Sequence, residues 1–118
     1  QVTPKNVVFD ARFTHHRSDL AKARAWDMKG FESAVWVDGT LNERDDTDRA
    51  WFVELKVPVA EVPGALTPLK AGHRWRFNMF RFDAPKGKRQ EAAALSPPVV
   101  PDFHALEAFA ELDFLGAQ

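Results

Sequence analysis

Residues 72–83, G-H-R-W-R-F-N-M-F-R-F-D, form the longest run of strand chemistry in the chain, and their reading decides the fold. A turn precedes them at Pro68 and Gly72, and another follows at Pro85 and Gly87. Trp75, Phe77 and Met79 alternate with Arg76, Asn78 and Phe80. Successive side chains of a strand point to opposite faces, so one face is apolar and the other offers guanidinium, amide and aromatic groups. The spacing predicts one long strand whose tryptophan face is sealed in a core and whose arginine face borders a recess.

The same chemistry recurs outward from this run. Residues 31–38 alternate, with Phe31, Ser33, Val35 and Val37 on one side and Glu32, Ala34 and Trp36 on the other, and end in the Asp38-Gly39 turn signal. Residues 50–58 place Trp51, Val53, Leu55 and Val57 opposite Phe52, Glu54 and Lys56. Residues 6–14 read as a strand from their β-branched and aromatic content. Residues 91–95 predict a weak strand and 109–115 a last alternating one. Between these lie a charged, alanine-rich stretch (15–26) suited to a short helix or ordered loop, a polar loop (42–48) and a segment at 59–66 with at most one helical turn. A proline-dense stretch (Pro97, Pro98, Pro101) and a single helical turn at 104–108 complete the chain. Six short strands without a long amphipathic helix predict an all-β, antiparallel β-sandwich of jelly-roll type over residues 1–118. Six strands leave such a sandwich short of partners, and an unpaired aromatic-rich edge invites aggregation. The expectation is therefore completion by a segment upstream of residue 1 or by a second polypeptide.

Composition narrows the function. Hydrophobic residues make up 45% and charged residues 28% of 118, as in ordinary globular chains. A net charge of −1 supplies no field toward nucleic acid or an anionic membrane. The absence of cysteine removes disulfides, thiolate nucleophiles and cysteine-zinc sites. Ser18, Ser33 and Ser96 coexist with His15, His16, His73 and His104, but no G-x-S-x-G elbow surrounds a serine. Seventeen acids select no glycosidase pair, and the expectation is a protein that is not an enzyme. Asp38, Asn42, Glu43, Asp45, Asp46 and Asp48 gather hard oxygen ligands suited to calcium. Arg44 and Arg49 balance that charge, and the loop reads as a solvated turn in preference to a metal site. Adjacent His15 and His16 would point to opposite faces, which suits no shared metal. Met79 with a histidine is a candidate haem axial pair, although its alternation with Trp75 and Phe77 reads it as core.

The remaining constellation is aromatic plus planar-polar: Arg76, Asn78 and Phe80 on the central strand, Arg89 in the next loop and Phe103 in the proline-held segment. The partly positive C–H face of a pyranose lies flat on an aromatic ring, and guanidinium or amide groups catch vicinal hydroxyls bidentately.

Here the chain resembles a known family. Residues 27–58 (D-M-K-G-F-E-S-A-V-W-V-D-G-T-L-N-E-R-D-D-T-D-R-A-W-F-V-E-L-K-V-P) are similar to the middle of family 9-like carbohydrate-binding domains. Residues 70–83 resemble their next strand, and L-S-P with F-H-A-L-E-A-F-A-E-L-D-F their closing segment. The resemblance implies a β-sandwich that binds carbohydrate such as xylan or cello-oligosaccharide without cleaving it, as an accessory to secreted or periplasmic polysaccharide-degrading enzymes. It implies Phe103 as the later of two stacking residues, the earlier lying upstream of Gln1, and Arg89 as the arginine of the following loop. From the strand face itself, Arg76 is expected to join Arg89 in binding hydroxyls and Asn78 to orient or support them. Phe80 departs from the family's polar strand residue, Leu95 from its tryptophan, and Leu106, Ala108 and Ala110 from its proline, charged residue and glycine. The family often holds structural calcium, but no ligands carry over to the acidic loop. These departures leave open a second function, an interaction or assembly module that keeps the sandwich without sugar binding, and a third, a haem-binding relative using Met79.

Overall fold

The computed structural model describes residues 1–43 and 45–116, so Arg44 of the acidic loop lies outside the described residues. The chain forms two compact units, Gln1–Ala65 and Leu66–Gln118. Among the described residues it is an all-β structure with few helical turns, built from three two-stranded antiparallel ladders without a closed barrel.

The first unit holds helix α1 (Leu20–Ala23) and strands β1 (Glu32–Asp38) and β2 (Ala50–Lys56). The alternation of β1 and β2 delivers the expected ladder, in a register that sets Glu32 opposite Lys56, Ala34 opposite Glu54 and Trp36 opposite Phe52. The other face pairs Ser33 with Leu55, Val35 with Val53 and Val37 with Trp51. Arg49 N donates to Asp38 O at 2.9 Å and closes the connecting loop. Inside it, the Asp48 carboxylate accepts from Thr40 N at 2.7 Å, and Asp46 accepts from the Thr40 hydroxyl at 2.6 Å. Gly39 is needed there: its φ is +153°, and a Cβ would fall 2.1 Å from Asp48 Oδ1. Asp19 caps the four-residue helix by accepting from Ala21 N.

Residues 6–14 are not a strand. Only Val8 makes an isolated bridge, to Val2, around a turn in which Asn6 adopts a φ of +57°. Local side-chain bonds win over β propensity here: Thr3 Oγ1 accepts from Val7 N, and the Asn6 amide donates to Ser33 O at 3.1 Å. Further along, Asp10 accepts from Met28 N and Arg12 N donates to Ala23 O, so the segment is tied to the chain beyond it by single bonds.

The second unit holds β3 (Arg74–Phe77), β4 (Phe80–Asp83), β5 (Glu91–Ala94) and β6 (Ala110–Asp113), with a 3₁₀ turn at Leu106–Ala108. The long strand expected over residues 72–83 is in fact two. β3 pairs with β6, Trp75 opposite Leu112, whereas β4 pairs with β5, Phe82 opposite Ala92. The change of partner falls at Asn78, whose side chain substitutes for a peptide group. Its Nδ2 donates to Ser96 O at 2.7 Å, and its Oδ1 accepts from Ser96 N and from Met79 N, each at 3.0 Å. Leu95 N then donates to Met79 O at 3.0 Å, which carries the β4–β5 ladder past its last paired residues.

The tryptophan-bearing face is not sealed as expected. Trp75 is partly buried, edge-on to Phe114 with ring centroids 5.0 Å apart, but Phe77 is 39% and Met79 54% exposed. Met79 is thus no core residue. A two-stranded ladder is too narrow to bury a full face. Among the described residues the buried hydrophobic ones are Ala23 and Ala105, one in each unit, and no described side chain is fully enclosed. Across β3 and β6, Arg74 bonds Asp113 at 2.6 Å and Glu111 at 2.9 Å. The hydrogen bond and charge of Asp113, with Glu111 behind it, raise the Arg74 pKa above its ordinary value.

Candidate functional site

The five candidate sugar-binding residues, Arg76, Asn78, Phe80, Arg89 and Phe103, all lie in the second unit, and a recess of about 740 Å³ gathers two of them. Phe80 and Phe82 of β4, two apart on one face, meet the alanines of β5 on the floor, while Pro98, Val100 and Phe103 form the opposite wall. Alanines at 92, 93 and 94 leave the space open because they carry no side chain beyond Cβ.

Phe103 is held by aromatic contacts. Its ring lies edge-on to Phe80 (6.0 Å between centroids) and to Phe82 (5.8 Å), and 4.0 Å from the His104 ring. It is nonetheless 47% exposed, and Phe82 49%. Phe80 is partly buried and also reaches Phe109, 6.1 Å away. The turn that presents Phe103 is fixed by Asp102, whose carboxylate accepts from His104 N at 2.9 Å and whose carbonyl accepts from Ala105 N at 3.1 Å. Ser96 ties down the near end, its hydroxyl donating to Ala108 O at 2.7 Å.

The polar candidates are placed differently. Arg76 Nη1 donates to the carbonyls of Leu106 and Glu107, 3.3 Å each, and so caps the 3₁₀ turn. Asn78 is engaged at both ends of its amide by Ser96 and Met79. Neither residue lines the recess. Arg89 is exposed two residues before β5 and makes no side-chain hydrogen bond or ion pair among the described residues. The structure therefore brings Phe80 and Phe103 together, sets Arg76 and Asn78 behind them as braces, and leaves Arg89 out in solvent.

Among the described residues no three His, Asp or Glu side chains gather as an ion site. Asp46 and Asp48 bond Thr40, and Asp38 pairs with Arg49 at 2.5 Å. No described helix is long and apolar enough to cross a membrane.

Two sets of residues were missed from the sequence. Phe82 shares the Phe80 face and reaches Phe103, which a single two-residue step along the strand would have indicated. In the first unit, Trp36 and Phe52 stack across β1 and β2 while 60% and 54% exposed. A large aromatic on the polar face of each strand was the available signal, but the register that sets them opposite one another was not. Comparison of the chain with family models, with curated proteins and with solved structures finds no match.

Proposed function

We propose that this chain is a non-catalytic carbohydrate-binding module, an antiparallel β-sandwich of jelly-roll type when its sheets are completed by further strands. Its ligand would be a plant-type polysaccharide such as xylan or a cello-oligosaccharide, held as an accessory to polysaccharide degradation. The observation that carries this reading is the half-exposed Phe103 ring at the wall of an open recess, held edge-on by Phe80 and Phe82. Rings fixed by neighbours present an aromatic surface without first losing rotamer freedom, which favours stacking by a sugar face. Arg89 supplies unengaged N–H donors near the start of β5, while Arg76 and Asn78 act by holding the segments that frame the recess.

Affinity is expected in the millimolar-to-micromolar range, about −4 to −8 kcal/mol. Calorimetry with xylo- and cello-oligosaccharides tests the reading directly. Phe103→Ala should abolish binding at this recess while lowering stability by less than about 1 kcal/mol, because the ring is already half in water. Wild-type protein silent toward soluble and insoluble glycans would overturn it.

A second reading, an interaction module that docks an apolar segment, is favoured by one feature. Among the described residues that line the recess Asp102 alone is charged, and its carboxylate already accepts from His104 N. A proline- or leucine-bearing peptide binding with unchanged affinity in Arg89→Ala would support it over sugar.

A further inference from the structure

The polar-side face of the β1–β2 ladder carries a second aromatic surface with a different surrounding. The Trp36 and Phe52 rings lie 5.1 Å apart and tilted by 33°, so together they form a shallow continuous platform. Both are more than half exposed. One same-face pair further on, Ala34 carries only a methyl opposite Glu54. The open surface of about 510 Å³ around this end of the ladder is lined by Glu32, Ser33, Ala34, Glu54, Leu55 and Lys56 and by neither ring. The register fixes the order along the face: Asp38 with Ala50, then Trp36 with Phe52, then Ala34 with Glu54, then Glu32 with Lys56. Successive same-face pairs are about 7 Å apart along a strand. Ion pairs close both ends, Asp38 with Arg49 and Glu32 with Lys56 at 2.7 Å. Glu54 makes no ion pair or hydrogen bond among the described residues.

We infer that this face is a carbohydrate subsite, in which one pyranose ring stacks on Trp36 and Phe52 and its hydroxyls donate to Glu54 over Ala34. The inference rests on the carbohydrate-binding reading of the chain but uses none of the residues of the Phe103 recess. The surroundings choose the occupant. An apolar helix or loop covering both rings would also take the unpaired Glu54 carboxylate out of water without a partner, which is costly. A sugar offers the two chemistries side by side: an apolar C–H face for the rings and vicinal O–H donors that a carboxylate accepts bidentately. Lys56 stands one pair further on, where its ammonium can donate to a ring or hydroxyl oxygen. A cationic side chain would also suit the rings and Glu54, since Arg49 and Lys56 are already paired with Asp38 and Glu32. Salt separates the two occupants: a neutral sugar binds alike at low and high salt, a cation does not.

The test is binding of neutral cello- and xylohexaose to the full chain, by calorimetry at low and high salt. Trp36→Ala should weaken binding at least tenfold, Phe52→Leu severalfold, and Glu54→Gln twofold to fivefold. Thermal midpoints of the latter two should stay close to wild type, because their side chains are largely exposed and Phe52→Leu keeps an apolar side chain. Phe52→Leu keeps apolar volume on the strand and reads out the ring even where Trp36→Ala disturbs the ladder. Phe103→Ala is measured in parallel. If Trp36→Ala and Phe52→Leu bind as wild type while Phe103→Ala does not bind, this inference is overturned and the recess reading stands. If the first-unit variants lose binding and Phe103→Ala retains it, the inference holds and the recess reading falls. Failure of the wild type to bind either hexasaccharide overturns both, and so would strong binding confined to cationic peptides and abolished by salt.

Discussion

The two aromatic surfaces of this chain are built from similar residues and differ in what their polar neighbours do. Around Phe103 the amide of Asn78 and a guanidinium nitrogen of Arg76 are bonded to the protein's own backbone. Around Trp36 and Phe52 the polar groups sit on the exposed face, in solvent-exposed ion pairs or, for Glu54, with no partner among the described residues. Engaged polar groups rigidify a surface and are no longer available to a ligand, whereas unengaged ones remain available and add little to stability. Stability should therefore respond strongly to mutation behind the Phe103 recess and weakly on the β1–β2 face.

The largest effect is expected at Trp75, which anchors β3 against Phe114. Trp75→Ala should cost about 3 kcal/mol, the lower end of the range for a buried tryptophan because its burial is partial. Urea denaturation measures it, and a loss below about 1 kcal/mol would mean that β3 and β6 are held by their charges alone. Next comes Asn78→Ala, about 2 kcal/mol, since it leaves the N–H and C=O of a partly buried Ser96 without partners. Amide exchange should speed at Ser96 and Leu95 while the β1–β2 amides are unchanged. If all the amides exchanged faster together, Asn78 would be no local brace. Asp48→Ala should cost about 1 kcal/mol by releasing Thr40 N and the Gly39 turn, with Trp36 fluorescence little altered.

Much of the strand pattern was legible because it rests on a two-residue period. Residues 31–38 and 50–58 become β1 and β2 to within one or two positions, since alternating valines, leucines and aromatics suit no other backbone. The last strand, expected at 109–115, is found for the same reason, whereas E-A-A-A-L at 91–95 has no such period and is a strand by its pairing with β4. Residues 72–83 misled because their alternation continues unbroken through a change of partner. What divides them is a bond between Asn78 and Ser96, 18 residues apart, and periodicity carries no information at that range. Residues 6–14 misled because propensity took no account of Thr3 and Asn6, which turn the chain locally. At the candidate site, Phe103 and Phe80 were legible as aromatics flanking turns. That Arg76 and Asn78 face backbone carbonyls was not, because a strand face says where a side chain starts and not where a long one ends. The Trp36–Phe52 pair depends on a register set by the connection between β1 and β2, which no residue spacing reveals.

The smallest effect gives the sharpest contrast between the two surfaces. Lys56 and Glu32 close one end of the Trp36–Phe52 face with a bond of 2.7 Å, between side chains 74% and 66% exposed. A pair so open gains little over hydration and is screened by salt, so Lys56→Gln should change stability by less than about 0.5 kcal/mol, and less still in about 1 M salt. Asn78→Ala removes three hydrogen bonds, two of them to a partly buried Ser96, and should cost about four times as much. The difference lies in burial as well as in the number of bonds: water replaces the ammonium at Glu32 but cannot reach Ser96 as readily. Equal losses in the two variants, measured by urea denaturation under the same conditions, would mean that the charged rim of the β1–β2 face is structural. Its carboxylates and ammonium would then be bound into the fold as firmly as Arg76 and Asn78, and the distinction between a braced surface and an available one would disappear.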